Sequence, residues 1–307
     1  MLRWLLVAQA ALVVALAALM LRAGTVDSWW LALVAGACLV LLLRATITAN
    51  NFVMTARFAS VTPDNFRLGL AARVRLFAEE FMATLLHSSW FMARAKAREQ
   101  IYADCKHAPV LLLHGYGCNS GYWAQLTPLL DAARISHASL DLEPVLGAID
   151  DYVPLVAHAV ESLCTKSNAP KVVIVAHSMG GLVARAYLRT HGSLCIAHIF
   201  TLGTPHHGTS LASFGPGLNA VQMRRCADPD APESAWLRAL AATEGAASRA
   251  LITSLFTHHD NIVAPQTSSH LSGARHIEFG GVGHVALGRN RRVLARLMDE
   301  LFALPGQ

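Results

Sequence analysis

The chain opens on two almost wholly apolar runs, Trp4–Met20 and Trp29–Leu43, parted by the short polar stretch Arg22–Ser28. A helix rises about 1.5 Å per residue and a bilayer core is about 30 Å thick, so each run is close to spanning length. The pair predicts a transmembrane helical hairpin over residues 1–47. Trp29 and Trp30 stand at the start of the second run, where indole rings favour the water interface. A signal peptide is the competing reading of the first run, with Arg3 ahead of it. Against it, a second apolar run follows at once in place of a polar mature sequence.

The period then changes. Phe66, Leu70, Val74, Phe77, Phe81 and Leu85 recur at helical spacing and predict an amphipathic helix within a connector over residues 48–107. That helix either lies in the membrane interface or packs on the domain that follows. From Pro109 onward, short β-rich runs alternate with helical stretches. Strands are predicted at Pro109–Leu113, Ala138–Leu142, Lys171–Ala176, Ile196–Leu202, Leu251–Phe256 and His276–Phe279. Helices are predicted at Tyr122–Ala133, Tyr152–Cys164, Leu182–Thr190 and from Arg291 to Phe302. This alternation is the signature of an α/β fold, a mostly parallel sheet with crossover helices, over residues 108–307. The interval at 208–249 is long enough for a small helical lid, ordinary surface packing being the plainer alternative.

Composition adjusts this picture in three places. Of 307 residues, 54% are hydrophobic, partly because of the two opening runs. About 250 residues remain beyond them, enough for one well-buried domain. The net charge of +5 has no basic run interleaved with aromatics, which suits an anionic membrane surface better than nucleic acid. Arg3 precedes the first apolar run, and Arg44, Arg57, Arg67, Arg73 and Arg75 follow the second. By the positive-inside rule both ends face the cytoplasm, which places the α/β domain on the cytoplasmic side of the inner membrane. Cys38, Cys105, Cys118, Cys164, Cys195 and Cys226 lack paired spacing and read as reduced thiols. His206–His207 and His258–His259 are adjacent pairs whose side chains point apart on extended backbone, so no metal is expected.

The chemistry concentrates in Lys171-Val-Val-Ile-Val-Ala-His-Ser-Met-Gly-Gly-Leu182, a buried-type strand that turns sharply into a helix with Ser178 at the turn. Small residues at Ala176 and Gly180 permit the close backbone approach such a turn needs. This segment resembles the nucleophile elbow of the α/β-hydrolase superfamily, usually G-x-S-x-G, with Ala176 in place of the first glycine. The Ala-His-Ser-Met-Gly form narrows the resemblance to the bacterial lipase and esterase branch. The Val110-Leu-Leu-Leu-His-Gly-Tyr-Gly117 strand and loop stand where that fold builds its oxyanion hole. The resemblance assigns the hole to the backbone N–H groups of Tyr116 and Met179, leaving His114 as a brace for the loop. Thr201-Leu-Gly-Thr-Pro-His-His-Gly208 and the Ser234-Ala-Trp-Leu237 turn also look lipase-like.

The fold's chain order of serine, acid and histidine implies the rest of the triad. Asp260 lies on the loop after the Leu251–Phe256 strand, although a solvated Asx turn is the plainer role for such a residue. His284 follows the last strand among glycines, and His259, beside the acid, is its weaker competitor. The reading is of a membrane-anchored serine hydrolase that cleaves carboxylic esters, of lipids or other acyl compounds, through an acyl-enzyme and without a cofactor. Its partners would be an ester or lipid substrate and the membrane, with no nucleic acid and no obligate protein partner. The alternative is a non-catalytic membrane protein whose hydrolase-like domain binds a partner or a hydrophobic ligand.

Overall fold

The computed structural model describes residues 2–225 and 232–305. Helix α1 runs over Leu2–Arg22 and α2 over Trp29–Ala56, and the two pack against each other. The absence of a side chain at Gly36 lets them approach, since a Cβ there would stand 2.8 Å from the Val13 carbonyl oxygen. By length and composition α2 is the one helix among the described residues suited to crossing a membrane; the apolar stretch of α1 over Leu6–Arg22 is shorter. The second helix does not stop where its apolar run ends near residue 43. It continues for a further three turns, carrying Asn50, Asn51 and Met54 past residue 47 toward the rest of the molecule.

Helix α3, Leu70–Leu86, passes through a π-helical turn at His87–Phe91 into the one-turn α4, Met92–Arg94. It packs on the α/β domain, but mainly by a face other than its apolar stripe. Leu76, Glu80, Ala83 and His87 form the buried face, whereas Leu70 and Val74 are exposed. Phe77 turns toward Phe52 of α2, the ring centroids lying 6.3 Å apart. Within α3 the stripe read from the sequence therefore turns toward α2 and the surface, although the ring of Phe66, ahead of the helix, packs 4.5 Å from that of His258. A second stripe containing a glutamate meets the domain. Arg44 of α2 ties the helical elements together, donating to Gln9 of α1 (3.1 Å), Ser89 (2.8 Å), the Thr84 carbonyl (3.3 Å) and Ser88.

The sheet has seven strands in the order β1-β3-β2-β4-β5-β6-β7. These are β1 Glu99–Gln100, β2 Val110–Leu113, β3 His137–Leu140, β4 Val172–His177, β5 Ile196–Leu202, β6 Ile252–Thr257 and β7 Arg275–Phe279. All neighbours are parallel except the edge pair β1–β3. Strands β2, β4 and β6 are buried along their whole length, as parallel strands covered on both faces must be. The covering helices are α5 Thr127–Ala132, α6 Val153–Ser167, α7 Met179–His191, α8 Leu218–Gln222, α9 Ala235–Thr243, α10 Ala246–Ala250 and α11 Arg291–Ala303. After β2 the chain steps to β3 on one side and then to β4 on the other, which makes the crevice beyond the carboxyl ends of β2 and β4 the topological switch point.

Two local expectations change. The single helix predicted over Tyr122–Ala133 is instead a 3-10 turn at Ser120–Gln125 followed by α5. Pro128 lacks an N–H and its ring crowds the preceding turn, so the helix restarts with the proline in its first turn. The edge strand β1 was not predicted, because two residues carry no alternation to read. In the lid interval, the 3-10 turn Ser210–Phe214, α8, α9 and α10 are present, and the stretch 226–231, with Cys226, lies outside the described residues.

The turn after β4 depends on one small residue above all. A Cβ on Gly180 would stand 2.5 Å from the Leu113 carbonyl oxygen and 2.7 Å from that of His114, both on rigid backbone. Gly180→Ala is therefore expected to destabilise the fold by about 1–3 kcal/mol through overpacking. Urea denaturation checks this, and an unchanged midpoint would mean that β2 can give way.

Candidate active site

Ser178 occupies the junction of β4 and α7 with φ +53° and ψ −124°, a left-handed conformation that a residue with a side chain adopts only when its surroundings impose it. Three hydrogen bonds impose it here. The Ser178 N–H donates to the Leu202 carbonyl (2.9 Å), and the Ser178 carbonyl accepts from the Gly181 N–H (3.0 Å) and the Thr204 hydroxyl (2.9 Å). Thr204 belongs to the Gly-Thr-Pro segment, whose local role is thus to hold the turn. Helix α7 starts at the next residue, so its N-terminal partial positive charge lies beside the serine.

Asp260 and His284 are brought together. The His284 Nδ1–H donates to Asp260 Oδ2 over 2.7 Å, with both side chains buried. The other carboxylate oxygen, Oδ1, accepts the N–H groups of Ile262 (2.8 Å) and Val263 (2.7 Å). This is an Asx-type turn with the remaining oxygen turned on the imidazole, and the carboxylate is buried, not solvated. The Asn261 side chain fixes the histidine backbone by accepting the His284 N–H at 3.0 Å. His259 takes no part in this pair: its Nδ1 accepts the Gly281 N–H at 3.1 Å.

The serine and the Asp260–His284 pair meet at the end of β5. Leu202 accepts the Ser178 N–H, and a Cβ on the following Gly203 would lie 3.2 Å from both Asp260 Oδ2 and His284 Nδ1. His177, next to the serine, packs its ring 4.6 Å from that of His284, and its Nε2 lies 3.3 Å from the His284 carbonyl oxygen. The Asp260–His284 hydrogen bond is formed in this state. Among the described residues no hydrogen bond joins Ser178 Oγ to the His284 ring; such bonds often tighten only when substrate is bound.

The loop after β2 lies directly over Ser178, since a Cβ on Gly115 would come within 2.9 Å of the Ser178 Cβ. Tyr116 follows it. Among the described residues neither the Tyr116 N–H nor the Met179 N–H has an acceptor in the protein, and Met179 is the first helical residue, where an N–H has no intrahelical partner. His114 braces the loop in one fixed tautomer. Its Nε2 accepts the Leu142 N–H (2.9 Å) and its Nδ1–H donates to the Gly115 carbonyl (2.9 Å), while burial lowers its pKa and keeps it neutral.

Reading the sequence did not single out Glu80. This residue of α3 is buried against the histidine loop, where Oε1 accepts the Val285 N–H at 3.0 Å and Oε2 the Ala286 N–H at 2.9 Å. Gly283 has no room for a side chain because Glu80 Oε2 would stand 2.5 Å from its Cβ. Burial raises the Glu80 pKa, although the two N–H donors and the nearby His284 pull the other way. The signal that exposes it is positional: Glu80 shares a face with Leu76, Ala83 and His87. His87 itself is held by the Ala83 and Tyr122 carbonyls at 2.9 and 3.2 Å.

These charges set the histidine. Burial alone would lower the His284 pKa, but the charge and hydrogen bond of Asp260, with the more distant charge of Glu80, outweigh it, and the net shift is upward from 6.5. A general base must be neutral, so kcat/KM is expected to rise with pH through a midpoint above the usual histidine value. Glu80→Gln removes one negative charge that favours the imidazolium, so the midpoint should move to lower pH. The amide also faces an N–H donor with its own NH2, which costs about 1–3 kcal/mol of stability. A pH–rate profile of the variant checks this, and an unmoved acid limb would show that Glu80 is not coupled to the base.

A cavity of about 460 Å³ opens at Ser178, within the usual size range for small-molecule sites. Tyr116, Leu211, Ala212, Met223 and Val263 contribute to its largely apolar wall. The paired histidines serve elsewhere. His207 Nδ1 meets Glu233 at 2.5 Å, His258 Nε2 meets Glu278 at 2.8 Å, and His206 Nε2 lies 3.3 Å from the Thr201 hydroxyl. Among the described residues no group of three or more His, Cys, Asp or Glu side chains is placed to hold a metal ion.

A family model described as the PGAP1-like alpha/beta domain matches residues 146–282, a stretch that includes the elbow, the lid interval and the acid loop and ends two residues before His284. Among solved structures, the chain is similar to the mature form of the Bacillus licheniformis lipase BlEst2, with a TM-score of 0.55 and 16% identity over 67% of this chain and 97% of that one. It is also similar to Aspergillus fumigatus lipase B, with a TM-score of 0.55 and 21% identity over 68% of this chain. The match spans 57% of that second protein's length. Together these likenesses assign the fold: the parallel sheet and its covering helices have an α/β-hydrolase architecture.

Proposed function

We propose that the chain is a membrane-anchored serine hydrolase of carboxylic esters, in which Ser178 is the nucleophile, His284 the general base and Asp260 the carboxylate that orients it. The observation that supports this best is the buried Asp260–His284 hydrogen bond of 2.7 Å beside a serine held at φ +53°. His284 Nε2 takes the Ser178 proton as Oγ attacks the ester carbonyl carbon. Collapse of the tetrahedral intermediate breaks the bond to the leaving alkoxide, which takes that proton, and a Ser178 acyl ester remains. Water, deprotonated by the same imidazole, attacks the acyl carbon and releases the carboxylic acid and free serine. The N–H groups of Tyr116 and Met179 receive the negative oxygen of both intermediates.

The site contributes pre-organisation to each step. Ionised Asp260 can only accept a hydrogen bond, which keeps the imidazole proton on Nδ1 and leaves Nε2 unprotonated and available to the serine. Helix α2 would hold the catalytic domain at a bilayer, on the cytoplasmic side by the arginine distribution, with the segment around 208–249 as a lid. The cavity lining is predominantly apolar, which favours an acyl chain as the acid part of the ester. The test is labelling of the intact chain by a fluorophosphonate probe, together with hydrolysis of a panel of short-chain and long-chain esters. Silence in both assays would leave a hydrolase-like domain without turnover, and binding of a hydrophobic ligand would then be the better reading.

A further inference from the structure

The cavity at Ser178 is not closed by the catalytic domain alone. Asn50, Asn51 and Met54, all from the last part of α2, line it together with Ala212, Phe214 and Met223 of the 208–249 interval. We propose that α2 forms one wall of the acyl-binding cavity, that the substrate's acyl chain reaches Ser178 from the bilayer along this helix, and that Met54 helps determine which chain lengths are accepted. This rests on the ester-hydrolase reading of the same site.

Length places these residues. At about 1.5 Å per residue, 28 residues extend roughly 42 Å, some 12 Å more than a bilayer core of about 30 Å. The last two turns, which carry Asn50, Asn51 and Met54, then emerge at the interface. The sequence agrees, since the unbroken apolar run ends near residue 43 and Thr46, Thr48, Asn50 and Asn51 follow.

The projecting end is fastened to the catalytic machinery and is not a loose tether. Just past α2, the Ser60 N–H and hydroxyl both donate to Gln266 Oε1 (3.1 and 3.2 Å), and the Gln266 amide donates to the Asp260 carbonyl at 2.9 Å. The helix is also held from its other side by Phe77 against Phe52 and by the Arg44 hydrogen bonds. Met54 is half-buried in this arrangement. Phe214, which lines the same cavity, is 70% exposed, and Leu218 at the start of α8 is 60% exposed. Bilayer hydrocarbon would cover such side chains, and Phe214 borders the cavity itself.

The lining also indicates what the rest of the substrate is. No acidic or basic side chain borders the cavity among the described residues. The Tyr116 hydroxyl is already donated to the Pro216 carbonyl (2.7 Å) and that of Thr209 to the Ile262 carbonyl (2.6 Å). Among the described residues the amides of Asn50 and Asn51 have no side-chain hydrogen bond, and Asn50 is exposed. The site therefore suits an ester that pairs a long acyl chain with an uncharged, hydroxyl-bearing or amide-bearing head, as in an acylglycerol.

The full chain, reconstituted in phosphatidylcholine vesicles, is assayed with p-nitrophenyl butyrate and p-nitrophenyl palmitate as wild type, Met54→Trp and Met54→Ala. Fluorophosphonate labelling counts competent Ser178 in each preparation, so that misfolded protein is excluded from the rates. Met54→Trp fills the cavity beside α2 and should lower the palmitate-to-butyrate ratio of kcat/KM about tenfold or more, whereas Met54→Ala, which only widens it, should leave the ratio at or above that of the wild type. Ratios within about twofold of the wild type in both variants, with labelling intact, would remove α2 from the acyl site and leave the hydrolase reading standing. A wild-type chain that neither labels nor turns over either ester overturns the hydrolase reading, and this inference with it.

Discussion

Replacing Ser178 with alanine is expected to lower kcat/KM for every ester by about a millionfold, because removal of a serine nucleophile has that order of effect in enzymes that use this machinery. What remains is the catalysis by the oxyanion donors and by binding, since Tyr116, Met179 and the cavity are untouched. The fluorophosphonate label should vanish with the activity. Persistent labelling of the alanine variant would move the nucleophile elsewhere. The backbone supplies a second readout. Ser178 is held at φ +53°, a cost of order 1–3 kcal/mol that alanine keeps and glycine relieves. Ser178→Gly should therefore be as inactive as Ser178→Ala but melt at a higher temperature. A glycine variant no more stable than the alanine one would mean that the elbow is not strained.

The parts of this molecule that sequence could reveal are those whose physics is local. The strand-turn-helix around Ser178 is visible because the small residues at 176 and 180 are needed within the same dozen positions that carry the serine. A Cβ on Gly180 meets Leu113 and His114, residues already recognised as a strand leading to the oxyanion loop. Asp260 and His284 follow from chain order once β6 and β7 are recognised, and the structure places both on the loops after those strands. Pro128 also carries a local signal, since its missing N–H favours the first turn of a helix, and the single helix predicted over Tyr122–Ala133 runs across it.

Longer-range packing explains the remainder. The face of α3 toward the domain could not be inferred from its most apolar stripe, because α2 was available to cover Phe77 and because Glu80 finds two N–H donors some 205 residues away. A glutamate is read as solvent-facing unless its partners are known, and here they are backbone groups that carry no sequence signal. The same holds for the wall formed by Asn50, Asn51 and Met54. Those positions fall in the connector that the sequence predicts after residue 47, and only the continuation of α2 and the fold bring them to Ser178.

Asp260→Asn is expected to keep the fold and lower kcat by about ten-thousandfold, because of where the protons around the carboxylate must go. Asp260 accepts at both oxygens, from Ile262 and Val263 at Oδ1 and from His284 at Oδ2. An asparagine has one oxygen to offer. If that oxygen stays with the two backbone N–H groups, the NH2 faces Nδ1, which must then accept. The imidazole proton moves to Nε2, and the base is blocked toward Ser178. If the amide is reversed, Nδ1–H keeps its acceptor, but the NH2 confronts two backbone donors in a buried site, at about 1–3 kcal/mol. The first arrangement is the less costly, so the variant should be stable and inactive near neutral pH. Above the pKa of a water-derived or external base its activity should recover in part, since an Nε2-protonated ring no longer serves as the proton acceptor. Urea denaturation and a pH–rate profile extended to alkaline values check both halves, and wild-type activity at neutral pH in a folded Asp260→Asn chain would remove Asp260 from the mechanism.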